Sequence, residues 1–454
     1  MICRAGIVGL AMAALAAAAG DPAAAILDQA RGTRVEVFAD VAFRLLEGNR
    51  IPEKNRAALL DEIFLRASEA RDAMPMRPAQ IPEMSRVAIP APLHLDALSI
   101  KCRVVKALLS VDGKRARERF ADIPRPDLPK PDCTTATLPY PEVYFETLGA
   151  VVAQAPFTAK EQEKQVPFWM LESAVRGIQT SLEIVEAARN LSHLMHTQTE
   201  ALAMSNAFAV ALGIDDCNRN FTAAIANGNL VDAVLMANDR FAKLGAPPQT
   251  MLVALRNYLV RHLTAPRCED SPGAVYDKTL DAFREAAAGQ TIAPPITAEE
   301  STPSKIEGKA DLPQPVDHPG YQELSNAVKA AGPDDPASFA EVLEKLQAWK
   351  GGAEQDPVGL FHRKASLYSF LLGPQFMQHP PPVRPSFLAA LAGLIAILSD
   401  PAILDAAPTD WLNEVRQLEQ RLAARWADIA QAMIDSHLSA LSVYGRLAAL
   451  EHGR

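Results

Sequence analysis

A helix-starting pattern that recurs along the chain constrains its fold most. A threonine or serine is repeatedly followed three residues later by glutamate, as at Thr33/Glu36, Thr158/Glu161, Thr180/Glu183, Thr197/Glu200 and Ser338/Glu341. In this capping box the hydroxyl accepts from the third backbone N–H of a helix while the glutamate reaches back to the cap's own N–H, so two otherwise unpaired donors are satisfied. A chain punctuated in this way predicts many separate helices rather than a few long ones. Composition agrees. Apolar residues make up 49% of the 454 residues but aromatics only 6%, and the apolar set is mostly alanine and leucine, which suits thin helices in close contact rather than a β-rich core. The expected fold class is all-α.

The apolar spacing pairs these helices. Phe38, Val41, Ala42 and Leu45 form one stripe, "EGN" at 47–49 closes it, and Pro52 opens a second helix with Leu59, Leu60, Ile63, Phe64 and Ala67 inward; together they read as an antiparallel hairpin. Leu98, Cys102, Val105 and Leu109 make another stripe. The segment 123–141 holds six prolines, too many for a helix or an inner strand. Residues 217–268 read as three helices broken at Gly228 and at Pro247-Pro248. No fixed period holds and the tetratricopeptide, ankyrin and HEAT consensus residues are absent, so the expectation is an irregular, α-solenoid-like array of antiparallel helical hairpins. Pro294, Pro295, Pro303, Pro313 and Pro315 mark 289–318 as a proline-rich linker between a helical-hairpin domain, 26–288, and a C-terminal helical domain, 319–454. The wholly apolar run at 387–398 is only 12 residues long and reads as a buried helix rather than a membrane span.

The first residues, "MICRAGIVGLAMAALAAAAGDPAAA", place one positive charge before an uncharged run and end in small residues. That order is the signature of a secretory signal peptide, expected over 1–25 with cleavage after Ala25 or near Gly20. The run spans about 16 residues, short of the roughly 20 that cross a bilayer, and no transmembrane segment is expected after cleavage. The protein is therefore expected in the periplasm or outside the cell. Cleavage removes Arg4 and Asp21 together and leaves the net charge at −9. An acidic exported protein has no electrostatic reason to seek nucleic acid. The basic run "KRARER" at 114–119, anchored by Phe120, reads as a solvated helix face.

Four cysteines remain in the mature chain, Cys102, Cys133, Cys217 and Cys268, an even number in an oxidising compartment. Of the three possible connectivities, Cys102–Cys133 with Cys217–Cys268 needs the least threading.

One stretch suggests metal chemistry. In "LSHLMHTQTEAL", 191–202, His193, His196 and Glu200 would share a face if the helix ran through them. If Thr197 instead caps a new helix, Glu200 serves its own backbone and both histidines fall in a junction, which is the expected arrangement. The other seven histidines are dispersed, and no phosphate-cradling, nucleophile-elbow, zinc-protease or haem-attachment motif occurs, so no cofactor is expected.

A second stretch, "ESAVRGIQ" at 172–179, resembles fragments of the lytic transglycosylase signature, in which a catalytic glutamate followed by serine precedes a Gly-Leu-Met-Gln segment. The resemblance covers eight residues and would make Glu172 a general acid; the alternative is a charged helix face. More broadly, "KRARERF" at 114–120, "IPRPDLPKPDC" at 123–133, "YLVRHLTAPRCEDS" at 258–271 and "FHRKASLYSFLLG" at 361–373 are similar to uncharacterised exported all-helical bacterial proteins. That likeness implies fold and export and brings no catalytic residue. The functional expectation is an exported helical-repeat scaffold that holds a protein partner in the envelope. The alternative is a helical envelope hydrolase or metal-dependent enzyme using Glu172 or the His193/His196 pair.

Overall fold

The structure, a computed structural model, describes residues 21–79, 93–227, 229–288, 294–310, 318–331, 335–373, 384–421 and 426–452. The expected signal peptide lies outside the described residues over 1–20.

The chain begins with α1 (Pro22–Arg31), α2 (Val35–Glu47) and α3 (Glu53–Arg66). A short ribbon strand, β1 (Met76–Pro78), precedes α4 (Ala97–Leu109) and α5 (Gly113–Ala121). Then follow β2 (Thr137–Pro139), α6 (Glu142–Gln154), α7 (Ala159–Glu163), α8 (Val166–Arg176), α9 (Ser181–Leu191) and α10 (Gln198–Ala211). Next come α11 (Asn218–Ala226), α12 (Leu230–Lys243), α13 (Gln249–Thr264), β3 (Arg267–Cys268), α14 (Gly273–Ala287) and β4 (Ile306–Glu307). The remainder is α15 (Tyr321–Ala330), α16 (Pro336–Ala348), α17 (Pro357–Leu371), α18 (Arg384–Leu398), α19 (Pro401–Ala406), α20 (Pro408–Arg421), α21 (Trp426–Ile434) and α22 (Ser439–His452). The protein is all-α, about 70% helical with 22 helices among the described residues. Its β structure is slight: β1 and β2 are antiparallel in the register Met76↔Pro139, and β3 and β4 are parallel.

Local signals explain many helix starts. Thr158, Thr180 and Thr197 each form a complete capping box with the glutamate three residues on. The other two boxes do not form. Thr33 turns its hydroxyl back to Ala30 O at 2.6 Å, leaving Arg34 in the cap position of α2. Asp335 caps α16 ahead of Ser338, with Pro336 in the first turn, where a missing N–H costs nothing.

The chain divides into two compact units, one made of residues 1–72 with 314–454 and the other of 73–313. This differs from the expected split into 26–288 and 319–454. The N-terminal hairpin joins the C-terminal helices because both its apolar stripe and its charges have partners there. Phe38, Val41, Ala42 and Leu45 of α2 are buried, as are Leu59, Leu60, Ile63 and Phe64 of α3. Asp40, fully buried on α2, accepts from Arg416 of α20 and from Tyr444 Oη of α22, the latter at 2.7 Å. Arg44 pairs with Glu419 at 2.9 Å and with Glu451. Gly445 allows α22 to approach α21 closely, since a Cβ there would stand 2.7 Å from Ala430 O. The apolar run at 387–398 lies on α18, with Phe387, Ala390, Leu391, Leu394 and Leu398 buried, and among the described residues no helix is long and apolar enough to cross a membrane.

The second unit is an array of helices around α9, nine of whose eleven residues are buried. Gly149 lets α6 lie on it, since a Cβ there would stand 2.9 Å from Asn190 O. The stretch expected as a linker is held here over its described part: Arg256 bonds Pro294 O at 2.7 Å and Glu300 at 2.8 Å, and Ala310 N bonds Asp270 Oδ2 at 2.7 Å. Residues 289–293 and 311–317 lie outside the described residues.

The cysteine pairing expected from chain proximity is corrected. Cys133 is bonded to Cys268, 135 residues away, with a Cα–Cα distance of 5.4 Å, and Cys102 and Cys217 are free thiols. Cys102 faces inward on α4 with no exposed surface, so the proline-rich loop has no access to it. That loop instead runs to β3, where the buried Arg219 donates to Cys133 O and pairs with Asp270 at 3.0 Å. Burial pushes both free thiols up to about 12, with the Asp216 carboxylate adding to the effect at Cys217, so neither is a thiolate at neutral pH.

Candidate functional site

The histidine stretch breaks where Thr197 caps. α9 ends in a single 3-10 turn, Ser192–Leu194, and Met195 is extended, so His193 and His196 sit on a turn and a loop rather than on one helix. Glu200 Oε2 accepts from the backbone N–H of Thr197 at 3.0 Å and of His196 at 2.9 Å, and Glu200 N donates to Thr197 Oγ1 at 3.2 Å. Those bonds commit that carboxylate oxygen to the helix start. Among the described residues no three histidine, cysteine, aspartate or glutamate side chains converge on a position that could hold a metal ion.

The junction nevertheless borders a cleft. His193, His196 and Glu200 line a cavity of about 480 Å³ whose apolar walls are Val152 and Ala153 of α6, Pro167, Phe168 and Leu171 of α8, and Leu194 and Met195. Gln165 places the α8 wall: it adopts φ 53° just before the helix, a left-handed conformation that a side-chain-bearing residue seldom takes. Beside the cleft, Trp169 is 57% exposed, its ring 6.2 Å from that of Phe168. α8 packs on α10 and α10 on α13, and these helices leave Leu202, Val210 and Val253 exposed.

Glu172 is buried on α8 and does not line the cleft. Its Oε1 accepts from Arg176 Nε at 2.9 Å and Nη2 at 2.7 Å, a helical pair one turn apart. Its Oε2 has no hydrogen-bond partner among the described residues.

Sequence reasoning missed a second polar cluster, at the heart of this unit. Asp216 accepts from Ser181 N at 2.6 Å and Ser181 Oγ at 2.7 Å through one oxygen, and from Cys217 N at 2.8 Å and Asn220 Nδ2 at 3.0 Å through the other. Because the Ser181 hydroxyl donates its single proton to Asp216, the fully buried Tyr258 hydroxyl donates to Ser181 Oγ. One turn along α13, His262 stacks on Phe221 with centroids 4.9 Å apart, and its Nε2 has no partner among the described residues. Burial lowers His262 to about 4 against the pull of nearby Asp216, so the ring is neutral. Tyr258 and His262, four apart between Leu255, Leu259 and Leu263, were the available signal: polar rings on an apolar helix face.

No protein family, curated protein or solved structure matches the chain.

Proposed function

We propose that this protein is an exported scaffold of the cell envelope that binds a protein partner through the cleft beside Trp169. The observation that carries the reading is Trp169 itself: a large aromatic left 57% exposed beside a concave apolar wall, the kind of residue that anchors protein interfaces. The cleft has the dimensions for one or two apolar side chains of a partner, with His193 and His196 at its polar margin. Export is supported by the charge and apolar order of the first residues and by the Cys133–Cys268 bond, which persists in oxidising compartments. The competing enzyme reading draws on the unpaired oxygen of Glu172, but Arg176 already neutralises that carboxylate and the cleft does not reach it.

A photoreactive amino acid at position 169 of the full-length protein tests the reading in the envelope. A discrete adduct formed from position 169, and not from the even more exposed Leu65 of the other unit, is expected. No adduct at 169, or the same products from both positions, would overturn it.

A further inference from the structure

The start of the folded chain bears on a processing site that the small residues of the leader leave ambiguous between Gly20 and Ala25. Asp21 is the cap of α1: its Oδ1 accepts from Ala23 N at 3.0 Å and its carbonyl accepts from Ala25 N at 3.1 Å. Pro22 fills the first helical position, where its fixed backbone angle suits the helix. The helix then buries one face in its unit, Ala23 and Ile26 at 3% exposure and Ala30 at 0%, while Ala24 and Ala25 face outward.

A cut after Ala25 would remove this cap, the helix-starting proline and the buried Ala23. Six of the ten helical residues would remain, Ile26 to Arg31. Their leading N–H groups would have no side-chain acceptor, and a helix under two turns long has too few internal bonds to offset its own nucleation. A cut after Gly20 leaves every one of these features in the mature protein. It also places small residues, Ala18 and Gly20, at the third and first positions before the scissile bond, as signal cleavage requires.

We propose that the exported form begins at Asp21. A signal peptidase hydrolyses the Gly20–Asp21 peptide bond with one water; Gly20 leaves as the carboxylate end of the leader and Asp21 keeps the new α-amino group. The expected leader boundary at residue 25 moves to residue 20, and the mature charge with it. The assignment rests on the export reading above, and its test separates the two. Intact mass and N-terminal sequencing of the full-length protein recovered from the envelope should give a chain starting at Asp21. A start at Ile26 would overturn the site while leaving export intact; a retained Met1 would overturn both. Two substitutions sharpen the result. Gly20→Ile should block processing and accumulate precursor, whereas Ala25→Ile, on the outward face of α1, should be processed normally. The reverse pattern would place the cut after Ala25.

Discussion

Asp40 and Asp216 are both buried carboxylates at the centre of a unit, and they are satisfied in opposite ways. Asp40 meets charge: Arg416 binds it, Tyr444 donates to it, and Arg44 nearby is shared between Glu419 and Glu451. Three carboxylates thus face two guanidiniums, and burial in this acid-rich cluster raises Glu419 to about 7 despite its bond to Arg44. Asp216 meets only neutral donors, from Ser181, Cys217 and Asn220. The difference follows connectivity. The first unit joins segments roughly 370 residues apart in the chain, and directional ion pairs set their register. The second unit is one continuous stretch closed by a covalent bond; around Asp216 its polar groups are met by neutral hydrogen bonds, and its buried ion pair, Arg219 with Asp270, sits beside that covalent closure.

The largest expected effect breaks the second unit's closure. Closing a loop of 135 residues restricts the unfolded chain by up to about 5 kcal/mol on the chain-entropy account. Cys268→Ser should therefore destabilise the second unit by several kcal/mol, whereas Cys217→Ser, at a free thiol, should cost far less. Hydrogen exchange followed peptide by peptide reads each unit separately. Equal losses from the two substitutions would contradict the observed pairing.

Next comes the first unit's charge cluster. Arg44→Leu strands Glu419 and leaves Glu451 without this partner, and removing one member of a buried ionic network typically costs about 3–5 kcal/mol. Exchange should accelerate in peptides of α2, α20 and α22 and stay unchanged in the second unit. Glu419→Gln, which retains a hydrogen-bonding oxygen and sheds the excess negative charge, should be far milder.

The pH responses should run in opposite directions. His262 is lowered from its ordinary 6.5 to about 4 by burial, so its contribution to the second unit is complete above pH 6.5 and is lost as pH falls through about 4. Glu419 is raised from 4.5 to about 7, so its contribution to the first unit is complete below pH 4.5 and is lost as pH rises through about 7. Each shift corresponds to at most about 3 kcal/mol. Relative to the intrinsic rate, which itself falls with pH, acidification from pH 7.5 to 5 should raise protection against exchange in the first unit and lower it in the second. His262→Phe should flatten the second response and Glu419→Gln the first; parallel responses in both units would sink the contrast.

These contrasts also mark what could be read from the sequence. The stripes of α2 and α3 were legible because helical periodicity is local, and Thr197/Glu200 was legible because a cap involves only four residues. Cys133–Cys268 and Asp40–Arg416 were not, since both depend on how the chain returns over more than a hundred residues. Chain proximity favoured Cys102–Cys133, but the inward turn of α4 removes Cys102 from reach. Of the candidate site, the junction carrying His193 and His196 was readable. The cleft was not, because its walls come from α6, α8 and the loop after α9, and nothing in the spacing of "VPFWMLES" tells that Trp169 is the aromatic left outside.

The smallest expected effect also separates the units. In the second unit Thr197 and Glu200 form a complete box, so Thr197→Ala removes the acceptor for Glu200 N and should cost about 1 kcal/mol. Ser338 has the same spacing to Glu341 in the first unit, yet the Asp335 carboxylate already accepts from the N–H groups of Ala337 and Ser338. Ser338→Ala should fall within the roughly 0.5 kcal/mol scatter of surface substitutions, whereas Asp335→Ala should reproduce the full loss. Thermal melts of the three variants, paired with exchange at α10 and α16, make the comparison. A loss at Ser338 equal to that at Thr197 would show that the box pattern, rather than the carboxylate upstream of it, starts α16. His193→Ala provides the reference beside the cleft: its side chain is exposed and Glu200 serves the backbone instead, so stability should be unchanged where Thr197→Ala lowers it.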